Sequence, residues 1–193
     1  KKIKFVFFIS VLTSILTTLL MSFYNVVIDF IAIRFFAGLS SAFVLILGTA
    51  LILPSIQEVG KKSLSTSHFM GVGFGIVISS ILVSILGDYG FNWSDLWIGV
   101  AILSIILAIP IFLFTPNEIN SNENNKSSSS YSNLSFNLIT LSYGLYGFGY
   151  VILGTFISTM ARETVGLQST EVYVWLLVGL AGIPMVIFWP WFG

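Results

Sequence analysis

The chain has 193 residues, 56% of them hydrophobic and 8% charged, with a formal net charge of +0 and a mean hydropathy of +0.98. Soluble domains carry about 25% charged residues, so the composition excludes a soluble globular protein and is that of an integral membrane protein. Zero net charge offers no basic surface to nucleic acid, and a cysteine count of 0 removes disulfides, thiolate metal sites and cysteine nucleophiles together.

Lys1, Lys2 and Lys4 lead into an apolar run too long for a signal-peptide core, with no small-residue cleavage site after it. The chain reads as an internal piece of a longer protein. Six apolar segments follow, each near the ~20 residues a helix needs to cross a bilayer: Phe5 to Phe23, Ile28 to Leu53, His68 to Leu86, Leu96 to Phe114, Phe136 to Thr159 and Val172 to Phe192. Strand alternation is absent, so the fold class is all-α, a polytopic transmembrane helical bundle. If Lys1 lies inside, the inner loops hold Lys1, Lys2, Lys4, Lys61, Lys62 and Lys126 and the outer loops hold Arg162. That bias predicts that both ends of the piece face the cytoplasm. Tyr24, Tyr89, Trp93 and Trp97 then cluster at the outer ends, where amphipathic rings favour the headgroup layer.

In the first span Thr13, Ser14, Thr17 and Thr18 can bond the carbonyl one turn back and need no functional reading. The second span is different. Arg34, Gly38, Ser41, Leu45 and Gly48 share one helical face, and an arginine inside a span costs about 2.5–3.5 kcal/mol on insertion scales. Such a face reads as lining something polar. The bland alternative is that Arg34 snorkels to the outer surface or meets Asp29.

The third span carries a small-residue ridge, Gly71, Gly75 and Ser79, whose direct meaning is close helix packing. His68, at its inner end, can titrate near neutrality or serve simply as an interfacial residue beside a helix N-terminus. Thr115 to Asn133 is polar, rich in asparagine and serine, and too poor in apolar residues to build a core, so it reads as a linker. It divides residues 1–115, with four spans, from 135–193, with two; the linker itself is 116–134. In the fifth span Tyr143, Gly147, Tyr150 and Gly154 share a face, with Tyr146 beside it. Glycines alone suit a packing groove; hydroxyl-bearing aromatics next to glycines suit a binding surface. In the outer loop beyond it Arg162 and Glu163 read as solvated, and Ser169, Thr170 and Glu171 as caps for the sixth span.

RFFAGLSSA, Arg34 to Ala42, resembles the Arg-xxx-Gly motif in the fourth helix of major facilitator superfamily (MFS) transporters. YGLYGFGYVILGTFISTMARE, Tyr143 to Glu163, looks like helix seven of the family's YbfB/YjiJ-type branch. The resemblance implies two six-helix halves joined by a long cytoplasmic loop, and places the six spans as helices three to eight of twelve. It puts the second and fifth spans among the helices that line the family's central cavity. GVGFGIVISS, Gly71 to Ser80, lies where the glycine-rich fifth helix meets the other half, without the Gly-Pro pair typical of antiporters.

The function implied is secondary active transport of a small molecule by alternating access, with protons as a candidate coupling ion. Arg34, Gly38, Ser41, Tyr143, Tyr146, Gly147, Tyr150 and Gly154 are the expected cavity or substrate residues, and Asp29 the expected coupling residue. The lipid bilayer is a partner, and no cofactor, metal or nucleic acid is expected. Asparagine-, isoleucine- and lysine-rich usage points to a bacterial cell (inner) membrane. The alternative is a self-contained six-helix channel or a membrane-embedded subunit of a larger complex. An enzyme would need a nucleophile, metal ligands or paired acids at depth, which one histidine and no deep carboxylate pair do not supply.

Overall fold

A computed structural model of the chain describes residues 2–58, 62–115 and 133–192. Six helices run through them: α1 (Lys2–Leu20), α2 (Val27–Glu58), α3 (Lys62–Asp88), α4 (Trp93–Phe114), α5 (Asn133–Glu163) and α6 (Val174–Phe192), with a 3-10 turn, Gln168–Tyr173, between the last two. No strand occurs among the described residues. Helices are what lipid permits, because each closes its own backbone hydrogen bonds. Five of them, α1 to α5, are long and apolar enough to span a membrane, and Val174–Phe188 is a shorter apolar helix.

The helices outrun the apolar segments at several ends. α2 continues through Pro54 to Glu58, a length of about 48 Å against a hydrocarbon core of about 30 Å. Hydropathy reports where lipid ends, whereas the hydrogen-bond ladder continues into the interface. The linker expected at 116–134 lies outside the described residues as far as 132, and α5 has begun by Asn133.

The turns follow local chemistry. α3 ends with Gly90 at φ +77°, where Phe91 N–H donates to the carbonyl of Leu86 and Gly90 N–H to that of Gly87. That pair of bonds is the Schellman closure, which needs a residue tolerant of the left-handed region. Next, the backbone N–H of Asn92 donates to Asp95 Oδ2 at 3.2 Å, securing the start of α4.

Compact contact groups α1 to α4 with α6 from Leu176 onward, and α5 with the 3-10 turn and the first residues of α6. In the first group backbone approaches join α1 to α2, α1 to α4, α4 to α3 and α3 to α2, so the four helices follow one another around a closed circuit. Phe7, Val11, Leu51 and Ala108 form its core, with Phe8, Ile15, Val44, Leu47 and Ile111 against them. Small residues set the approach, as expected where lipid tails leave no hydrophobic drive between helices. A Cβ on Gly48 would stand 3.2 Å from Cε2 of Phe7, so α1 seats that ring on a glycine of α2. α3 and α6 meet similarly: a Cβ on Gly73 would lie 3.1 Å from the carbonyl oxygen of Gly179, and one on Gly179 would lie 3.0 Å from that of Gly73. Two ties pin α1 and the turn after it to α4, from Lys4 Nζ to the carbonyl of Thr115 at 2.8 Å and from Ser94 Oγ to that of Ser22 at 2.6 Å.

Hydroxyls in the spans behave as their spacing predicts. Thr13 donates to Ile9, Thr17 to Thr13 and Thr18 to Ser14, each to a carbonyl one turn back.

In the second group Arg162, near the end of α5, forms a forked pair with Glu171 in the 3-10 turn; Nε donates at 2.9 Å. Gly166, at φ +89°, lets the chain reverse as a type II turn, closed by Leu167 N–H donating to the carbonyl of Thr164. Thr170 hydrogen-bonds back to Leu167. These residues build a turn of their own, and α6 starts only after it. The indole of Trp175 lies against Gly154, where a Cβ would stand 3.3 Å from the ring.

Candidate functional site

Arg34 stands on α2 two turns from its start, and its side chain is exposed. Its guanidinium carbon lies 5.2 Å from the ring centroid of Phe30 and 5.2 Å from that of Trp97 on α4. Trp93 extends the cluster, 6.4 Å from Phe30 and 6.4 Å, edge-on, from Trp97. α2 and α4 are opposite members of the four-helix circuit, so these side chains reach across it near the N-terminal ends of the two helices. A ring face carries negative quadrupole charge and attracts a guanidinium at this range, by about 0.5–2 kcal/mol depending on desolvation.

Asp29 is half-buried and five residues before Arg34, hence about 140° away around the helix. Among the described residues the ion pair formed by an arginine is Arg162 with Glu171; Arg34 is held by rings.

The rest of the expected polar face of α2 divides along its length. Gly38 has nothing within 4 Å of a built Cβ, and Ser41 is exposed, whereas Gly48 at the other end is closed by Phe7. The upper half is therefore open and the lower half is a packing surface.

On α5 the expected residues stand outward. Tyr143 is 79% exposed, Tyr146 72% and Tyr150 58%. Tyr143 and Tyr146 keep their rings 6.5 Å apart and, with Leu138, Ile139 and Ser142, border an open, shallow depression. Gly147 has open space around it, whereas Gly154 takes the indole of Trp175.

The ridge read on α3 is uncovered at Gly71 and Gly75, which have nothing within 4 Å, and Ser79 donates within its own helix to Ile76. The close helix contact of α3 comes from Gly73, between the two glycines of that ridge. Its signal in the sequence was Gly73-xxx-Val77 facing Gly179 and Ile183, a pairing visible only once both helices are placed. The rings around Arg34 are likewise not evident as a site from sequence, which gives Trp97 the reading of a headgroup anchor; the one signal is an aromatic on another span near the level of an intrahelical cation.

Five helices of this length and hydropathy among the described residues define a multi-pass membrane protein. Over residues 2–193 the chain matches the profile of the family described as "Uncharacterised MFS-type transporter YbfB", and it belongs to that family, as the motifs at Arg34 to Ala42 and Tyr143 to Glu163 led one to expect. Comparison with curated proteins and with solved structures returned no match.

Proposed function

We propose that the chain forms the central part of a secondary transporter that moves a small molecule by alternating access across a bacterial cell membrane, with both ends of the piece facing the cytoplasm. Family membership supports transport, and the single observation that carries the mechanism is Arg34. Its charge is seated between Phe30 and Trp97 rather than against a carboxylate among the described residues. Rings hold the cation yet leave its in-plane N–H donors free to take an anionic group. Arg34 then binds an anionic part of the substrate, or a carboxylate whose protonation couples transport to a proton gradient; Asp29 is the candidate on this chain.

Gly38 and Ser41 continue the open part of the same face. Tyr143, Tyr146 and Tyr150 offer hydroxyls and ring faces to the substrate, and Gly147 and Gly154 permit close approach. Residues 1–115 belong to one half and 135–193 to the other, with 116–134 joining them. The close contact of Gly73 with Gly179 then lies between the halves, and Gly71, Gly75 and Ser79 face further helices.

The test is uptake of a panel of small labelled anions by the full-length gene product and by its Arg34→Ala and Arg34→Lys variants at matched expression. Loss in Arg34→Ala with partial recovery in Arg34→Lys supports the role. Normal uptake in both variants removes Arg34 from the mechanism.

A further inference from the structure

On α2 Arg34 stands one turn after Phe30 and one turn before Gly38, and these two neighbours make its surroundings uneven. Toward the start of the helix its guanidinium carbon lies 5.2 Å from the ring centroids of Phe30 and Trp97, and Trp93 stands edge-on to Trp97. Toward Gly38 there is room: a Cβ built on that glycine meets nothing within 4 Å. Rings therefore wall one side of the cation, and helix backbone without a side chain floors the other.

Charge is distributed just as unevenly. The ionisable side chains in the first turns of α2 and α4 are Asp29 and Asp95, both acidic. Lys4 is tied to the carbonyl of Thr115, about 27 Å of helix rise along α4 from Trp97, and Arg162 is committed to Glu171. Among the described residues, one positive charge therefore meets whatever enters here, and two carboxylates share that end of the helices.

From this we infer that the anion taken by Arg34 is a monocarboxylate with a flat apolar body, held by its carboxylate at the guanidinium edge and lying over the backbone at Gly38. This rests on the role proposed for Arg34 and names the class of its ligand. The guanidinium fork matches the two oxygens of a planar carboxylate. Ring walls and a glycine floor reward an apolar, flat body, because each brings apolar surface out of water without a competing side chain. A second negative charge would have no cation of its own and would meet Asp29 and Asp95, and an unpaired charge at membrane depth is costly. Gly38 then sets the size of the ligand: a side chain there fits the fold but fills the ligand's room.

The test is ligand-observed saturation-transfer NMR of the full-length protein in phosphatidylcholine nanodiscs at neutral pH, titrated with benzoate, acetate and phthalate. Phthalate carries the ring of benzoate and a second carboxylate. Benzoate should bind about tenfold more tightly than acetate, for the ring surface it buries, and about tenfold more tightly than phthalate, for the charge left unpaired. Arg34→Ala should weaken benzoate about tenfold. Gly38→Leu, for which the fold has room, should bring benzoate to within about threefold of acetate. Phthalate matching benzoate overturns the single charge, acetate matching it overturns the apolar body, and an unchanged preference in Gly38→Leu overturns the placement over Gly38. Displacement of benzoate when phosphatidylglycerol replaces part of the lipid assigns the site to a lipid phosphodiester and overturns the inference as well. If none of the three anions binds in an Arg34-dependent way, the reading of Arg34 as an anion site fails, and the inference with it.

Discussion

Arg34 and Arg162 carry the same charge and are held in opposite ways. Arg34 sits in the apolar run of α2 between the rings of Phe30 and Trp97; Arg162 sits at the end of α5, its side chain 63% exposed, in a fork with Glu171. A carboxylate neutralises its partner and occupies the donors, which leaves Arg162 with little to offer a third group. Aromatic rings attract the cation through their faces and leave the N–H edge available. The second arrangement suits a cation that is kept for a ligand, and the first suits one that fastens a turn.

The largest effect should come from asking each arginine to work. A charge-assisted hydrogen bond is worth about 1.5–3 kcal/mol, so Arg34→Ala should lower uptake about tenfold or more. Arg162→Ala should leave it within about twofold, as for an exposed substitution away from the proposed cavity. Equal losses at the two positions, measured as initial rates at matched expression, would erase the distinction.

A smaller effect separates the two kinds of partner. A double-mutant cycle on thermal unfolding in detergent, pairing Arg34→Met with Trp97→Leu, should give a coupling of about 0.5–2 kcal/mol. It should persist at about 1 M salt, because the partner is a neutral ring that carries no net charge for salt to screen. The corresponding cycle between Arg162 and Glu171 should give a weaker coupling that fades in the same salt, since both groups meet solvent. Salt sensitivity at Arg34 matching that at Arg162 would point to an ionic partner for Arg34 in the full protein.

Of these two settings the sequence revealed one arginine well and the other poorly. Arg34 stood out because a charge inside an apolar run is costly wherever its partners lie. Trp97 as its neighbour did not, because which helix faces meet is decided by packing between segments far apart in the chain. Arg162 read as solvated because its partner Glu171 approaches only through the turn built by Gly166 and the 3-10 segment. The same limit explains Gly73. Spacing marks a helix face as small, and the GVGFG run offers two such faces; only the position of Gly179 chooses between them. Five of the six expected spans were legible, since lipid forces an unbroken apolar run of this length into a helix; the sixth segment is the shorter apolar helix Val174–Phe188. Helix ends were less so, because α2 and α5 run on into polar sequence where hydropathy is silent.

The smallest expected effect is a pH dependence confined to the second arginine. The fork from Arg162, through its hydrogen bonds and then its charge, holds the Glu171 carboxyl below the usual carboxylate range. A carboxyl whose folded value is depressed adds stability above its unfolded value, about 4.3 for glutamate, and loses that contribution as the pH falls through the folded value. The turn after α5 should therefore be pinned at neutral pH and released only in acid, below the ordinary glutamate range. Carbon-13 NMR of the glutamate carboxyls, with Glu171 assigned by Glu171→Gln, should place its midpoint below the ordinary value. Arg162→Gln should bring it back up. A midpoint that does not move on losing Arg162 would mean that the fork does not form in the membrane, and that both arginines stand without a carboxylate.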